Sequence, residues 1–217
     1  MLHQGELFSA LPLDTLTFEK VAYSSGFTCV AGIDEAGRGP LAGPVMAAAV
    51  ILPVGLKIIG VDDSKKLTPD KREKLFDVIM AQALSVGVGV VTPSDIDRIN
   101  ILQATRRAML AAVQHLSPQP DYLLIDGIST IDSAIPQKTI KKGDALSLSI
   151  AAASIIAKVT RDRLMIEMDT KYPGYGFAGH KGYGSTSHMA AIRVLGPSPI
   201  HRLTFCGVKE YVNCTCS

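Results

Sequence analysis

Four carboxylates stand where predicted secondary-structure elements end. Asp34 and Glu35 follow an apolar run from Cys29 to Ile33, Asp126 follows Tyr122 to Ile125, and Asp144 precedes a long helical stretch. In an open α/β sheet, strand ends along one rim are where sites assemble. If the first and fourth strands are parallel neighbours their acids converge there, and the helix start can bring Asp144 to the same place. Like charges a few Å apart raise each other's pKa, a conflict that a hard divalent cation removes. Ligation by oxygen alone favours Mg²⁺ or Mn²⁺ over zinc, which prefers nitrogen and sulfur. Two such ions about 4 Å apart can activate a water and stabilise the leaving oxygen of an in-line displacement at phosphorus. Phosphodiester hydrolysis is the matching chemistry. Successive strand residues point to opposite faces, so Asp34 and Glu35 share a site only if the strand stops there, and Gly37 supports that break. Singly, each acid has a plainer reading: Asp144 as a helix N-cap, Asp126-Gly127 as a turn pair, Asp34-Glu35 as a solvated loop.

Gly37-Arg38-Gly39 suits close approach of exposed backbone to a sugar or phosphate, with the guanidinium supplying charge; a tight turn with a surface arginine fits the tripeptide equally well. A dinucleotide fingerprint fits poorly, since Pro40, Pro44 and a following strand break the pattern and Asp34 and Glu35 would repel a pyrophosphate. Residues 138–209 hold eleven Lys and Arg against four Asp and Glu, a net +7, so the remainder carries −5 of the overall +2. Such asymmetry can mark a nucleic-acid footprint or a solvated face. Within this tract Tyr183 sits on the Gly179–Gly184 loop beside Lys181, placed either to stack on a sugar or base or to anchor its loop. His180, His188 and His201 read as structural or phosphate-contacting, because a two-metal site needs no imidazole base. His201, Cys206, Cys214 and Cys216 have the wrong spacing for a zinc knuckle, so free thiols are expected.

The elements that must position these groups follow from periodicity. Strands are expected at Cys29–Ile33, Gly43–Leu52, Ser85–Val91 and Tyr122–Ile125, the second apolar on both sides as in a sheet covered on both faces. Thr68-Pro69 predicts an N-cap and first helical residue for a helix to about residue 84. Ile101–Leu116 and 145–170 complete the main helices, the last beginning with small residues (Ala151, Ala152, Ala153, Ser154, Ala157) that permit close approach to a sheet. Residues 1–27 lack periodicity and are taken as a lead-in. The glycines at 174, 176, 179, 182 and 184 predict an irregular loop.

At 217 residues the chain has room for one core rather than two domains. With 47% hydrophobic residues and no Trp it is neither a disordered tail nor an aromatic stacking platform, and a net charge of +2 looks wrong for a strongly basic module. The uncharged stretch between Arg38 and Lys57 is broken by Pro40, Pro44 and Pro53, so no membrane span is expected. With sparse cysteines and no secretory leader in view, the chain is expected to be cytoplasmic.

Six segments, in order and in register, closely resemble bacterial ribonuclease HII: Ala31 to Pro40, Asp62-Asp63-Ser64-Lys65-Lys66-Leu67, Leu124 to Gly127, Lys142-Gly143-Asp144, Ser149 to Asp162, and His180-Lys181-Gly182-Tyr183-Gly184. The resemblance covers about residues 28–205. It implies an α/β ribonuclease H-like fold: a five-stranded mixed sheet flanked by helices, in a domain over 28–217 whose C-terminal helical segment (about 170–217) helps hold a duplex. It implies a monomer that cuts the RNA strand of RNA–DNA hybrids and nicks 5′ of single ribonucleotides in duplex DNA, leaving 3′-hydroxyl and 5′-phosphate ends. Asp34, Glu35, Asp126 and Asp144 match the family's catalytic, metal-binding acids, for two Mg²⁺ or Mn²⁺ ions. Gly37, Arg38 and Gly39 match the loop that reads the 2′-hydroxyl, and Tyr183 the tyrosine that stacks on the neighbouring deoxyribose. Lys65 is expected to contact phosphate, and Lys181 is counted with the substrate-binding residues. The related ribonuclease HIII type usually has Lys at the loop arginine and an extra N-terminal domain; Arg38 and the short lead-in favour HII.

Overall fold

Seven consecutive apolar residues, Val45–Ile51, are all buried, because their strand lies inside a sheet with helices on both faces. The computed structural model describes residues 14–61 and 67–212. Its sheet comprises β1 (Val30–Ala36), β2 (Val45–Ile51), β3 (Ser85–Val91), β4 (Tyr122–Asp126) and β5 (Gln137–Ile140), in the order β3-β2-β1-β4-β5. The β1–β2 and β2–β3 pairs are antiparallel, the β1–β4 and β4–β5 pairs parallel. This is the expected mixed five-stranded α/β architecture. The fifth strand, Gln137-Lys138-Thr139-Ile140, is a short polar edge strand with no apolar alternation to betray it.

The helices are α1 (Thr17–Ser24), α2 (Pro69–Gln82), α3 (Pro93–Gln114), α4 (Leu148–Lys171), α5 (Phe177–His180) and α6 (Thr186–Leu195). Ala47, Ala49 and Ile51 of β2 face α3, packing with Ala104, Ala108 and Ala112. Ala48 and Val50 face the other way, onto Ala152, Ala153 and Ile156 of α4. The small residues do the work anticipated for them. A Cβ on Gly32 of β1 would lie 2.1 Å from the Ser149 carbonyl carbon, so sheet and α4 meet there at backbone distance.

Three boundaries differ from expectation. The α3 helix begins at Pro93, behind an N-cap in which Thr92 Oγ1 accepts from Asp95 N (3.2 Å). Asn100, at φ 65°, interrupts it, and its Oδ1 accepts from the amides of Leu102 and Gln103, so the periodicity starting at Ile101 marks only the second stretch. The predicted lead-in contains α1, amphipathic enough that Phe18, Ala22 and Tyr23 pack on Val30, Leu124 and Ile150. Glu19 is buried, and its Oε1 accepts from Ser147 Oγ (2.6 Å), Ser149 N (3.0 Å) and Ser149 Oγ (2.7 Å), capping α4 from outside its own chain segment. The glycine-rich stretch carries α5, and with α6 and a turn at Lys209–Tyr211 it makes up the C-terminal helical segment.

Candidate active site

The acids depend on where β1 loses one neighbour and keeps the other. Pairing to β4 ends at Ile33↔Ile125, whereas pairing to β2 runs on through Asp34↔Ala48, Glu35↔Ala47 and Ala36↔Met46. The strand therefore does not stop at Asp34 as expected. Instead it becomes an edge on the β4 side, and Asp34, Glu35 and Asp126 all line one cavity of about 180 Å³ with Ala36, Gly37, Arg38, Gly39, Ser154, Lys158 and Tyr183.

Asp34 is 4% exposed. Its pKa is raised well above the ordinary carboxylate range, first by burial and then by the charges of Glu35 and Asp126. Hydrogen bonds from Ser154 and from the Glu35 amide (2.7 Å to Asp34 Oδ1) pull the other way without cancelling this. Asp126 Oδ1 accepts from Gly143 N at 2.6 Å, tying the end of β4 to the turn that carries Asp144.

Asp144 is not among the residues lining that common cavity. It is buried at the start of the Gly143–Ala145 turn and lines a different cavity with Thr15, Gly60, Val61, Leu67 and Leu148. Among the described residues no three His, Cys, Asp or Glu side chains are close enough to enclose an ion by themselves. The chemistry of the donors nonetheless fits a hard divalent cation, since a buried acid pressed by two further carboxylates gains most from a nearby positive charge.

The loop after β1 is shaped from inside. Gly37 has φ +94°, and a Cβ there would lie 2.1 Å from Arg161 Nε, so only glycine fits. Arg38 faces solvent with Nη1 3.4 Å from Glu35 Oε1. Tyr183 lies beside Gly39 and is 47% exposed as a residue, while its backbone is fixed: Tyr183 N donates to His180 O, and His188 Nδ1–H donates to Tyr183 O (2.8 Å). The ring is thus not a core anchor. His201 Nδ1 accepts from Ser198 N (2.8 Å), which leaves Nε2–H to donate to His188 Nε2 (3.0 Å) and gives His188 the tautomer its bond to Tyr183 needs. Burial, then repulsion from His188, pushes the His201 pKa down to about 4. His201 is therefore part of this chain rather than a zinc ligand.

Other expected contacts divide. Lys181 turns its ammonium onto the Ala178 carbonyl and is not among the residues lining the cavity. Lys65, Cys214 and Cys216 lie outside the described residues. Ser154 and Lys158, one turn apart on α4, line the cavity although neither stood out as a site residue in the sequence. Their i, i+4 spacing, which puts both on one helix face, was the signal the sequence offered. Lys158 is held by Asp162 at 2.6 Å, and burial lowers its pKa against that partner's pull. Two members of the basic tract, Arg161 and Arg202, are 1% and 0% exposed and present no charge to a ligand.

Comparison with known proteins identifies the family of the fold. The family model for Ribonuclease HII matches residues 31–208. The Ribonuclease HII of Pelobacter propionicus is 68% identical over 216 residues, covering 100% of this chain and 99% of its own length. That of Geobacter metallireducens is 68% identical over 196 residues, 90% of this chain and 92% of its own. Among solved structures, the ribonuclease H2 of Pyrococcus horikoshii superposes with a TM-score of 0.72 at 31% identity, covering 85% of this chain and 97% of that one. The chain therefore belongs to the ribonuclease HII family, and is a metal-dependent endoribonuclease acting on the RNA strand of RNA–DNA hybrids.

Proposed function

We propose that the chain nicks duplex DNA on the 5′ side of a single embedded ribonucleotide, initiating its removal, by two-metal-ion hydrolysis that leaves 3′-hydroxyl and 5′-phosphate ends. The observation that carries this reading is one cavity shared by the acids Asp34, Glu35 and Asp126 with the Gly37-Arg38-Gly39 loop and Tyr183. Asp34, Glu35 and Asp126 would hold Mg²⁺ or Mn²⁺; Asp144, which lines a neighbouring cavity but follows the Gly143 whose amide fixes Asp126, would join them only once its turn or side chain swings toward the ions. When bound, the ions supply Lewis acidity at the scissile phosphate and lower the pKa of the attacking water.

The chain's own groups do the rest. The Gly37–Gly39 loop meets the ribose and tests for its 2′-hydroxyl, with Arg38 at the phosphate. Tyr183 lays its exposed ring on the neighbouring deoxyribose. Lys158 keeps positive charge at the cavity wall, and Ser154 holds Asp34 in place. Water attacks phosphorus in line with the bond to the upstream O3′; that bond breaks and the departing oxygen takes a proton. A labelled duplex with one ribonucleotide, run on a gel with Mg²⁺ or Mn²⁺ and with EDTA, tests this. A metal-dependent nick 5′ of the ribonucleotide is expected, and no nick, or one that survives EDTA, would overturn it.

A further inference from the structure

The residues least explained by hydrolysis are two arginines buried in the wall behind the loop. Among the described residues, each guanidinium is satisfied by three backbone carbonyls rather than by a carboxylate. Arg161 donates from Nε to Pro44 O, from Nη1 to Lys181 O and from Nη2 to Ala42 O, each at 3.0 Å. Arg202 donates from Nε to Gly43 O (3.0 Å), from Nη1 to Arg38 O (2.8 Å) and from Nη2 to Gly37 O (2.5 Å). Burying a guanidinium carries a desolvation cost, offset here by three charge-assisted bonds to each. Burial, then repulsion from Arg161, lowers the Arg202 pKa to about 9, so the group stays charged at neutral pH.

The bonds of Arg202 determine more than where the loop sits. The only cis peptide among the described residues is Ser117-Pro118, so the planes joining Gly37 to Arg38 and Arg38 to Gly39 are trans. In a planar trans peptide, C=O and N–H point to opposite sides. With the carbonyls of Gly37 and Arg38 drawn onto one rigid fork, the N–H groups of Arg38 and Gly39 must point away from Arg202, in residues that line the cavity. A lysine could keep the charge but not hold three carbonyls in fixed relative directions.

We propose that Arg202 is a positioning residue for ribose recognition: gripping Gly37, Arg38 and Gly43 from within, it orients the peptide planes that face the 2′-hydroxyl, while Arg161 braces the same loop against Ala42, Pro44 and Lys181. The proposal rests on the reading that this loop meets the sugar. It makes sugar selectivity a property of a residue that never touches substrate.

The test compares wild type, Arg202→Lys and Phe205→Leu, the last removing the ring that lies 5.0 Å from the Arg202 guanidinium while leaving the guanidinium in place. Binding is measured by fluorescence anisotropy in Ca²⁺, using a duplex with one ribonucleotide and the same duplex in all-DNA form, alongside circular dichroism and single-turnover nicking in Mg²⁺. The expected result is that Arg202→Lys lowers the affinity ratio of ribonucleotide over all-DNA duplex at least threefold and slows nicking at least tenfold, with all-DNA affinity changed less than twofold. Phe205→Leu gives a smaller shift in the same direction and decides the matter if the lysine variant does not fold. An unchanged ratio in the folded variants, or equal loss of affinity for both duplexes, would overturn the positioning role while leaving the proposed activity standing. Wild type that nicks neither duplex would overturn both.

Discussion

Replacing Asp34 by asparagine keeps the shape and the acceptor for the Glu35 amide while removing a charge that burial and two neighbouring carboxylates oppose. Without metal, that change relieves repulsion. Asp34→Asn is expected to abolish metal-dependent cleavage, retain duplex binding, and raise Tm in EDTA by a few degrees, at about 2–4 °C per kcal/mol for a chain of this size. Differential scanning fluorimetry checks the shift, and a variant that nicks normally would remove Asp34 from the metal site. At Tyr183 the question is the ring face, since the residue is 47% exposed and its backbone is held independently. Tyr183→Ala should slow cleavage at a single ribonucleotide at least tenfold more than Tyr183→Phe, measured under single turnover, and equal effects would argue against stacking. Of the residues expected at the site, Asp34, Glu35, Asp126, the Gly37-Arg38-Gly39 loop and Tyr183 line this cavity, whereas Asp144 and Lys181 do not; the acids stood out by type and position, the loop and Tyr183 by resemblance. Sequence reasoning missed Ser154 and Lys158, whose types are ordinary on helices and whose role depends on facing Asp34 across a packed interface.

Elements were legible in proportion to their burial. The two-sided apolar pattern of β2 and the Thr-Pro start of α2 follow from local chemistry, whereas β5 is polar and α1 is held chiefly by tertiary contacts. The end of β1 was misjudged for a different reason: whether a strand stops depends on which neighbour stops, and β4 and β2 part company at Ile33. At Gly32 the approach of α4 leaves no room for a methyl group, a Cβ meeting Ser149 at 2.1 Å. Gly32→Ala is expected to destabilise the protein by about 1–3 kcal/mol through overpacking, read as a lower urea midpoint with unchanged slope. A wild-type midpoint would mean that α4 can move aside freely.

Across the molecule, overall charge was a poor guide because the +7 of residues 138–209 is offset by −5 elsewhere, and the tract itself is partly internal. Arg161 and Arg202 belong to the frame, so the +7 of residues 138–209 overstates what a duplex can meet. The buried histidines add a whole-fold dependence on pH. Folding lowers the His201 pKa from 6.5 to about 4, so the unfolded chain takes up the proton first. Its contribution to stability is complete above about pH 6.5 and is lost as pH falls from there toward 4. Wild type should therefore lose more stability than His201→Gln between pH 7 and pH 5, measured by urea unfolding at each pH. Parallel losses would show that this imidazole is not the group responsible.

The bonds from Glu19 to Ser149 span 130 positions of the chain. The helix carrying Glu19 must therefore wait for residues about 130 positions later before it can be seated. Until the start of α4 has been synthesised, Glu19 has no serines to accept from and Ala22 no Ile150 to pack against. The N-terminal part of the described chain becomes a latch that closes only after the start of α4 is available, and because Thr15 lines the same cavity as Asp144, that latch borders an expected metal-binding acid.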